Sequence, residues 1–318
     1  PERVTSLQLE ESFLSTLTRL GQKTGLIESL TGVVARRFFE EGVQPSDAAT
    51  RAAVAAIAGA GIDASKIDII VSTSVCKDYL EPSIASTVHG NLGLRPDCLN
   101  FDIGNACLAF LNGMEVVANM IERGQIDYAL VVDGEDSRFA VTSTIARLAS
   151  DSTTDQDLRD EFATLTLGSG GAAMVLCRAD LATTSHRFVG GIQRAATQHN
   201  RLCQGQPDRM RTDAGALLAA GVTLAEQTWA EGQTALRWEA EDLDLLVMHQ
   251  VGAGHFKTLL KRLGLTRSQA FLTYPEFGNM GPAAIPITLS KANAAGRLAS
   301  GDRVGLMGIG SGLNCAMM

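Results

Sequence analysis

Residues 99–123 read LNFDIGNACLAFLNGMEVVANMIER, and the fold turns on how this stretch is read. A short strand-like run reaches Ile103, Gly104-Asn105-Ala106 turns the chain, and Cys107 opens a helix. Its apolar residues, Leu108, Phe110, Leu111, Met114, Val116, Val117, Met120 and Ile121, point in every direction. A helix apolar all round is a buried helix. The pattern therefore predicts a strand, a sharp turn and a buried helix, with a cysteine at the junction. A cysteine in a first helical turn meets unpaired backbone N–H groups and the positive end of the helix dipole. That position is expected to lower the thiol pKa and favour the nucleophilic thiolate. The competing reading is a small buried cysteine that packs like alanine.

Working outward, Ile67-Asp68-Ile69-Ile70-Val71-Ser72-Thr73 and Asp127 to Asp133 read as buried strands on either side, and Pro82 opens a helix that runs to Leu92-Gly93. Pro45-Ser46-Asp47 reads as a helix start with Ser46 or Asp47 as its cap. Residues 6–30 read as helix broken near Gly21 and Gly25, 150–157 as a polar loop, and 190–215, which lack a clear period, as a long covering loop. Strands follow at 172–177, 243–248 and 303–309, and helices at about 214–237, 253–263 and 283–295. Helix alternating with apolar strand predicts an α/β fold.

The chain also repeats itself. Ile67-Asp68-Ile69-Ile70-Val71 is echoed by Leu243-Asp244-Leu245-Leu246-Val247, and Gly104-Asn105-Ala106-Cys107 by Gly278-Asn279-Met280-Gly281. The strand entered at Gly124 is echoed by the one entered at Gly301-Asp302. The offset is about 175 residues each time, and three echoes in one order argue for a duplicated α/β unit. The expected halves are 1–185, holding the cysteine, and 186–318, holding a histidine and an asparagine. A site at the junction of two related halves is the default expectation.

Composition narrows the function. The 318 residues are 45% hydrophobic, enough for a large core. The net charge of -8 and the lack of a basic block argue against nucleic acid as a partner. The six cysteines form no CxxC pair, so metal-ligand spacing is absent, and a disulfide framework is not expected. No secretory signal stands out and no apolar run reaches the ~18 residues of a membrane span. These features point to a cytoplasmic protein with no metal.

If the halves superpose, Cys107 at the first elbow, Asn279 at the second and His249 at the end of the strand before it converge. Thiol, imidazole and amide form an acyl-transfer set: cysteine carries the acyl group as a thioester, and histidine and asparagine donate hydrogen bonds to a developing oxyanion. Taken singly, His249 reads as a structural strand-end residue and Asn279 as a turn residue. The glycines at 308, 310 and 312 do not spell a dinucleotide fingerprint, because position 313 is Leu, and Ile309 rules out a serine-hydrolase elbow.

These residues carry a resemblance. Asn105-Ala106-Cys107, Leu167-Gly168-Ser169-Gly170-Gly171-Ala172-Ala173, Met248-His249-Gln250, Phe277 to Pro286 and Gly308 to Leu313 together resemble the thiolase superfamily, specifically its ketoacyl synthase III-like condensing enzymes. The resemblance implies a five-layer αβαβα thiolase fold, a homodimer and a Cys107–His249–Asn279 triad. It also implies an oxyanion hole from the backbone N–H groups of Cys107 and Ser311. Against that pattern the chain begins after the usual first strand and ends inside the expected last one.

Glu81, in Tyr79-Leu80-Glu81-Pro82-Ser83, stands where these enzymes usually carry an aromatic residue that reaches into the partner's acyl pocket. A carboxylate entering such a pocket would be desolvated and become a better base; the alternative is a carboxylate favoured by a helix N-terminus. Val251-Gly252 also departs from the Ala-Asn that usually follows His-Gln in decarboxylating relatives. Both departures resemble the acyl-CoA condensing enzymes of olefin biosynthesis. That implies non-decarboxylative Claisen condensation of two long-chain acyl-CoAs to a 2-alkyl-3-keto acid, with Glu81 of the partner subunit as base. Coenzyme A thioesters would be substrates, no cofactor would be needed, and downstream pathway enzymes are possible partners. The alternatives are a decarboxylative ketoacyl synthase III and a hydroxymethylglutaryl-CoA synthase-like enzyme.

Overall fold

The computed structural model describes residues 1–184 and 186–318; the expected boundary between the halves falls at Ser185, outside the described residues. Two four-stranded sheets organise the chain. The first contains β1 (Ile69–Ser72), β2 (Leu99–Asp102), β3 (Tyr128–Glu135) and β4 (Gly170–Cys177), in the order β2-β1-β3-β4. The second contains β5 (Ile192–Ala195), β6 (Leu245–Met248), β7 (Val304–Gly310) and β8 (Asn314–Met317), in the order β6-β7-β8-β5.

The sequence echoes reappear as topology. β1 runs parallel to β3, with Ile69 opposite Ala129, and β3 runs antiparallel to β4. β6 likewise runs parallel to β7, with Leu245 opposite Val304, and β7 antiparallel to β8. Where β2 flanks β1, a single parallel bridge from Ala270 flanks β6 at Leu246.

Helices fill three layers. α1 (Pro45–Ala60) and α2 (Ile84–Leu92) cover the outer face of the first sheet, where Ala49, Ala53, Ile84 and Val88 meet Ile70, Leu130 and Val132. α4 (Ala214–Leu236) and α5 (Ala253–Leu263) cover the second, where Trp229, Leu259 and Leu260 meet Leu246 and Met307. Between the sheets lie the two elbow helices, α3 (Ala109–Glu122) and α6 (Ala284–Ala294). Phe110, Leu111 and Met114 of the one and Ile285 of the other share a core with Val71 and Val131 of the first sheet and Val247 of the second. Each such side chain, fully buried, contributes about 1.5–3 kcal/mol from apolar area removed from water. The middle layer holds the halves together, and the strand ends that feed it are where a site can form.

Several local expectations need correction. Residues 6–30 form three short helices, Ser6–Glu11, Leu14–Arg19 and Leu26–Thr31. α1 is capped by Gln44, with Pro45 in its first turn and Asp47 reaching back to the Gln44 N–H, so neither Ser46 nor Asp47 is the cap itself. The polar stretch after 150 contains a helix, Asp155–Glu161, started by a Thr154–Asp157 capping box. Residues 190–215 are not a loop. They supply β5 and a hairpin of Cys203–Gln206 with Arg209–Thr212. These strands are polar and largely exposed, so their hydrophobic pattern is silent; backbone pairing holds them. α3 is not buried all round either: Val116 and Asn119 face outward.

Candidate active site

β2 ends at Asp102, the chain turns, and a single 3-10 turn, Ala106–Leu108, leads into α3. Ala106 has φ +45°, a left-handed conformation that a residue with a Cβ adopts only when its surroundings enforce it. The enforcement comes from β7 and from asparagine contacts. A side chain at Gly310 would stand 3.1 Å from the Asn105 carbonyl oxygen and 3.3 Å from the Leu108 nitrogen. The end of β7 therefore lies directly against the elbow, and a side chain at Gly310 would make the elbow give by a few tenths of an ångström. Asn105 also accepts from the Asn314 amide at 3.1 Å and donates to Asn112 at 2.7 Å. Ser311 follows Gly310 at this contact, half-buried.

His249 follows β6. Its backbone N–H donates to the Met307 carbonyl of β7 at 2.7 Å, so the histidine is fixed to the strand that supports the elbow. The side chain is buried, its Nδ1 has no partner among the described residues, and it lines a small pocket with His255, Met307 and Gly308. Gln250 is held beside it by Thr273 and Tyr274 N–H groups, both donating to Gln250 Oε1.

Asn279 is fixed on both sides of its backbone. Its N–H donates to the Thr166 carbonyl at 2.8 Å and its carbonyl accepts from Gly168 at 2.9 Å. The side-chain Oδ1 accepts from the Gly281 N–H at 3.0 Å, which leaves the Nδ2 amino group as its free donor. The turn that follows, Gly281–Ala283, packs against the turn carrying Cys107. Cys107, His249 and Asn279 thus sit on elements that meet around the end of β7.

The electrostatics differ from the sequence expectation. Burial pushes the half-buried Cys107 thiol up to about 12, with Cys203 of the hairpin and Glu135 adding to the rise and its backbone N–H only partly opposing it. The turn does not produce a standing thiolate. Burial, with a smaller push from His255, lowers His249 to about 3, so its imidazole is neutral. A neutral thiol and a neutral imidazole suit an incoming neutral thioester.

Glu81 is not part of this cluster within one chain. It is exposed at the apex of residues 75–82, next to Leu80, which is 96% exposed. Sequence reasoning passed over Glu135 at the end of β3 and Cys203 in the hairpin. The signal for Glu135 was present: two acids, Asp133 and Glu135, alternate directly after the apolar run of β3, and both are buried.

Among the described residues no helix is long and apolar enough to cross a membrane, and no group of three or more His, Cys, Asp or Glu side chains could hold a metal ion.

Two sheets of one repeated topology around paired elbow helices, with a cysteine on the first elbow, define a condensing enzyme of the thiolase fold. Comparison with known proteins agrees. Residues 101–191 match the 3-oxoacyl-[acyl-carrier-protein] synthase III family and residues 234–318 its C-terminal counterpart. The chain is 47% identical to the acyl-CoA:acyl-CoA alkyltransferase of Xanthomonas campestris pv. campestris, covering 100% of this chain and 94% of that protein. It is 38% identical to the alkyltransferase of Shewanella oneidensis, again over 100% of this chain and 94% of the relative. Crystal structures of Xanthomonas OleA superpose with a TM-score of 0.98 over 100% of this chain and 92% of the cerulenin-bound one. Others are of a Cys-to-Ser variant with bound lauric acid and lauroyl-CoA, covered to 94%, and of variants at one glutamate and one histidine. The chain belongs to the 3-oxoacyl synthase III family of thiolase-fold acyltransferases, and within it to the acyl-CoA:acyl-CoA alkyltransferases.

Proposed function

We propose that this enzyme joins two long-chain fatty acyl-CoAs by non-decarboxylative Claisen condensation, the first step of long-chain olefin biosynthesis. The full-length 47% match to an acyl-CoA:acyl-CoA alkyltransferase carries the reading. The Cys107 sulfur attacks the first thioester carbonyl; the C–S bond to coenzyme A breaks, and the thiol proton ends on the departing CoA. Backbone N–H groups of Cys107 and Ser311 hold the oxyanion of that step. Glu81 of the partner subunit then removes the α-proton of the second acyl-CoA, and His249 and Asn279 donate to the enolate oxygen. The carbanion attacks the Cys107 thioester, the cysteine leaves, and thioester hydrolysis gives a 2-alkyl-3-keto acid. The reaction needs no cofactor beyond its CoA substrates. The enzyme works in the cytoplasm and passes its product to downstream pathway enzymes.

A homodimer is part of this reading. β2 is an edge strand, paired among the described residues with β1 alone, and exposes Leu99 at 52% and Phe101 at 40%. An apolar open edge is a template for pairing with a second chain. Tyr79 and Leu80 beside Glu81 are exposed as well, as expected of a loop that a partner covers.

The test is purified enzyme with myristoyl-CoA alone, following CoA release and product mass. A product of two joined chains is expected. Glu81→Ala should abolish joining while Cys107 still takes up one acyl group. No joined product without a malonyl donor, with CO2 released when one is added, would move the enzyme to the decarboxylative class.

A further inference from the structure

Glu135 is a buried carboxylate, 4% exposed, that the acyl-transfer chemistry does not use. Its two oxygens are both occupied. Oε1 accepts from the Val75 N–H at 2.6 Å and Oε2 from the Cys76 N–H at 3.1 Å. Val75 and Cys76 begin the segment 75–82 that carries Glu81. Farther along, the segment is tied by Lys77 to Asp102, by Asp78 accepting from the Ser46 N–H at 3.0 Å, and by the Ser83 cap of α2. The tie at Glu135 also borders the Asn279 turn. A side chain at Gly281 would touch the Glu135 carboxyl at 3.6 Å, and Gly281 is the residue whose N–H orients Asn279. Glu135 also lies close enough to raise the Cys107 thiol.

We infer that Glu135 is a positioning residue for carbon–carbon bond formation: it fixes the root of the segment that lends Glu81 to the partner subunit, and ties that root to the subunit's own Asn279 turn. The inference rests on the assignment of Glu81 as the base. A neutral acceptor could hold two amides at less cost in desolvation, whereas a charged acceptor holds them more tightly. The grip depends on ionisation, because a protonated carboxyl turns one acceptor oxygen into a donor. Burial raises Glu135 to about 7, opposed by the Cys76 and Val75 hydrogen bonds and by Lys77. The groups facing it are Cys76 and Lys77 from the segment and Cys107 from the elbow, with Asp133 and Asp136 on or beside its own strand. As pH falls through that value the clamp loosens, so joining per acylated enzyme should fall.

The experiment separates acylation of Cys107, read as CoA release with one acyl group on the protein by mass, from joining, read as two-chain product, using the full chain and myristoyl-CoA. In Glu135→Gln, acylation should be no slower than wild type. Joining should drop at least about tenfold in kcat with KM unchanged, the scale expected when a reacting group is displaced by a fraction of an ångström to an ångström. The rise in joining between about pH 6 and about pH 8 should be lost, since glutamine does not titrate. Joining within about twofold of wild type, or a variant that keeps the full pH rise, overturns the inference. Should Glu135→Gln fail to fold, Val75→Pro removes one clamped N–H and leaves Glu135 in place. It should show the same split, and normal joining in it would equally overturn the proposal. Glu81→Ala run in parallel distinguishes the two failures. If it still joins chains, the base assignment is wrong; if it stops joining while Glu135→Gln does not, only the clamp is wrong.

Discussion

At the scale of the residue, the chemistry at Cys107 is set by burial more than by the turn it sits on. A first-turn cysteine is expected to be acidified by the N–H groups around it, but here desolvation wins: the thiol is held at about 12, and His249 at about 3. The resting Cys107 is therefore a poor nucleophile at neutral pH, because little of it is thiolate. This predicts the pH dependence of alkylation by iodoacetamide. Only the thiolate reacts, and a raised pKa means the thiolate fraction keeps growing as pH rises toward that value. The rate at Cys107 should climb about tenfold per pH unit from neutral through about pH 9 without levelling. Mass spectrometry of the peptide containing Cys107 measures it, and a plateau near neutral pH would show that the turn acidifies the thiol after all.

At the scale of the element, the second elbow depends on two backbones lying closer than any side chain permits. Gly168 donates to the Asn279 carbonyl, and a Cβ on it would come within 2.0 Å of the Phe277 carbonyl oxygen. Gly168→Ala must push the Phe277–Asn279 segment away. The expected loss is about 2 kcal/mol or more, read from the denaturant midpoint, together with loss of joining activity in whatever fraction remains folded. A variant as stable and active as wild type would mean that the segment gives way easily and that Asn279 does not need this seat. The same elements show what could be read from sequence. Both elbows, the strands at 67–73 and 243–248 and their repeated order were legible because buried parallel strands are continuous apolar runs. The polar hairpin of Cys203–Gln206 with Arg209–Thr212 was not, since its strands bury too little to leave a period. The cap of α1 was misplaced because Gln44 is an uncommon capping residue, and Asp47 answers it from inside the helix. Cys107, His249 and Asn279 could be named from the duplication. The pKa values could not, because they depend on how deeply each group is buried in the folded chain.

At the scale of the whole molecule, a single subunit holds Cys107, His249 and Asn279 on elements that meet, yet presents Glu81 outward on an exposed apex. If the reaction needs all four, no subunit is complete by itself, and the base that serves a given cysteine comes from the other copy. Subunit mixing tests this. Cys107→Ala chains keep Glu81 but have no nucleophile; Glu81→Ala chains keep the nucleophile but lend no base. Each homodimer should be inactive in joining. A mixed dimer has one complete site, in which the Cys107 of one chain faces the Glu81 of the other, and one site lacking both. Random pairing makes half of the dimers mixed, so co-expressed chains should recover about a quarter of wild-type joining activity. Differently tagged copies purified in tandem, which selects mixed dimers alone, should recover about half. Were Glu81 to act on the cysteine of its own chain, the mixed dimer would contain no complete site and activity would stay at the level of the two parents. Acylation gives the internal standard: it needs only Cys107, so tandem-purified mixed dimers should take up one acyl group per dimer in either case.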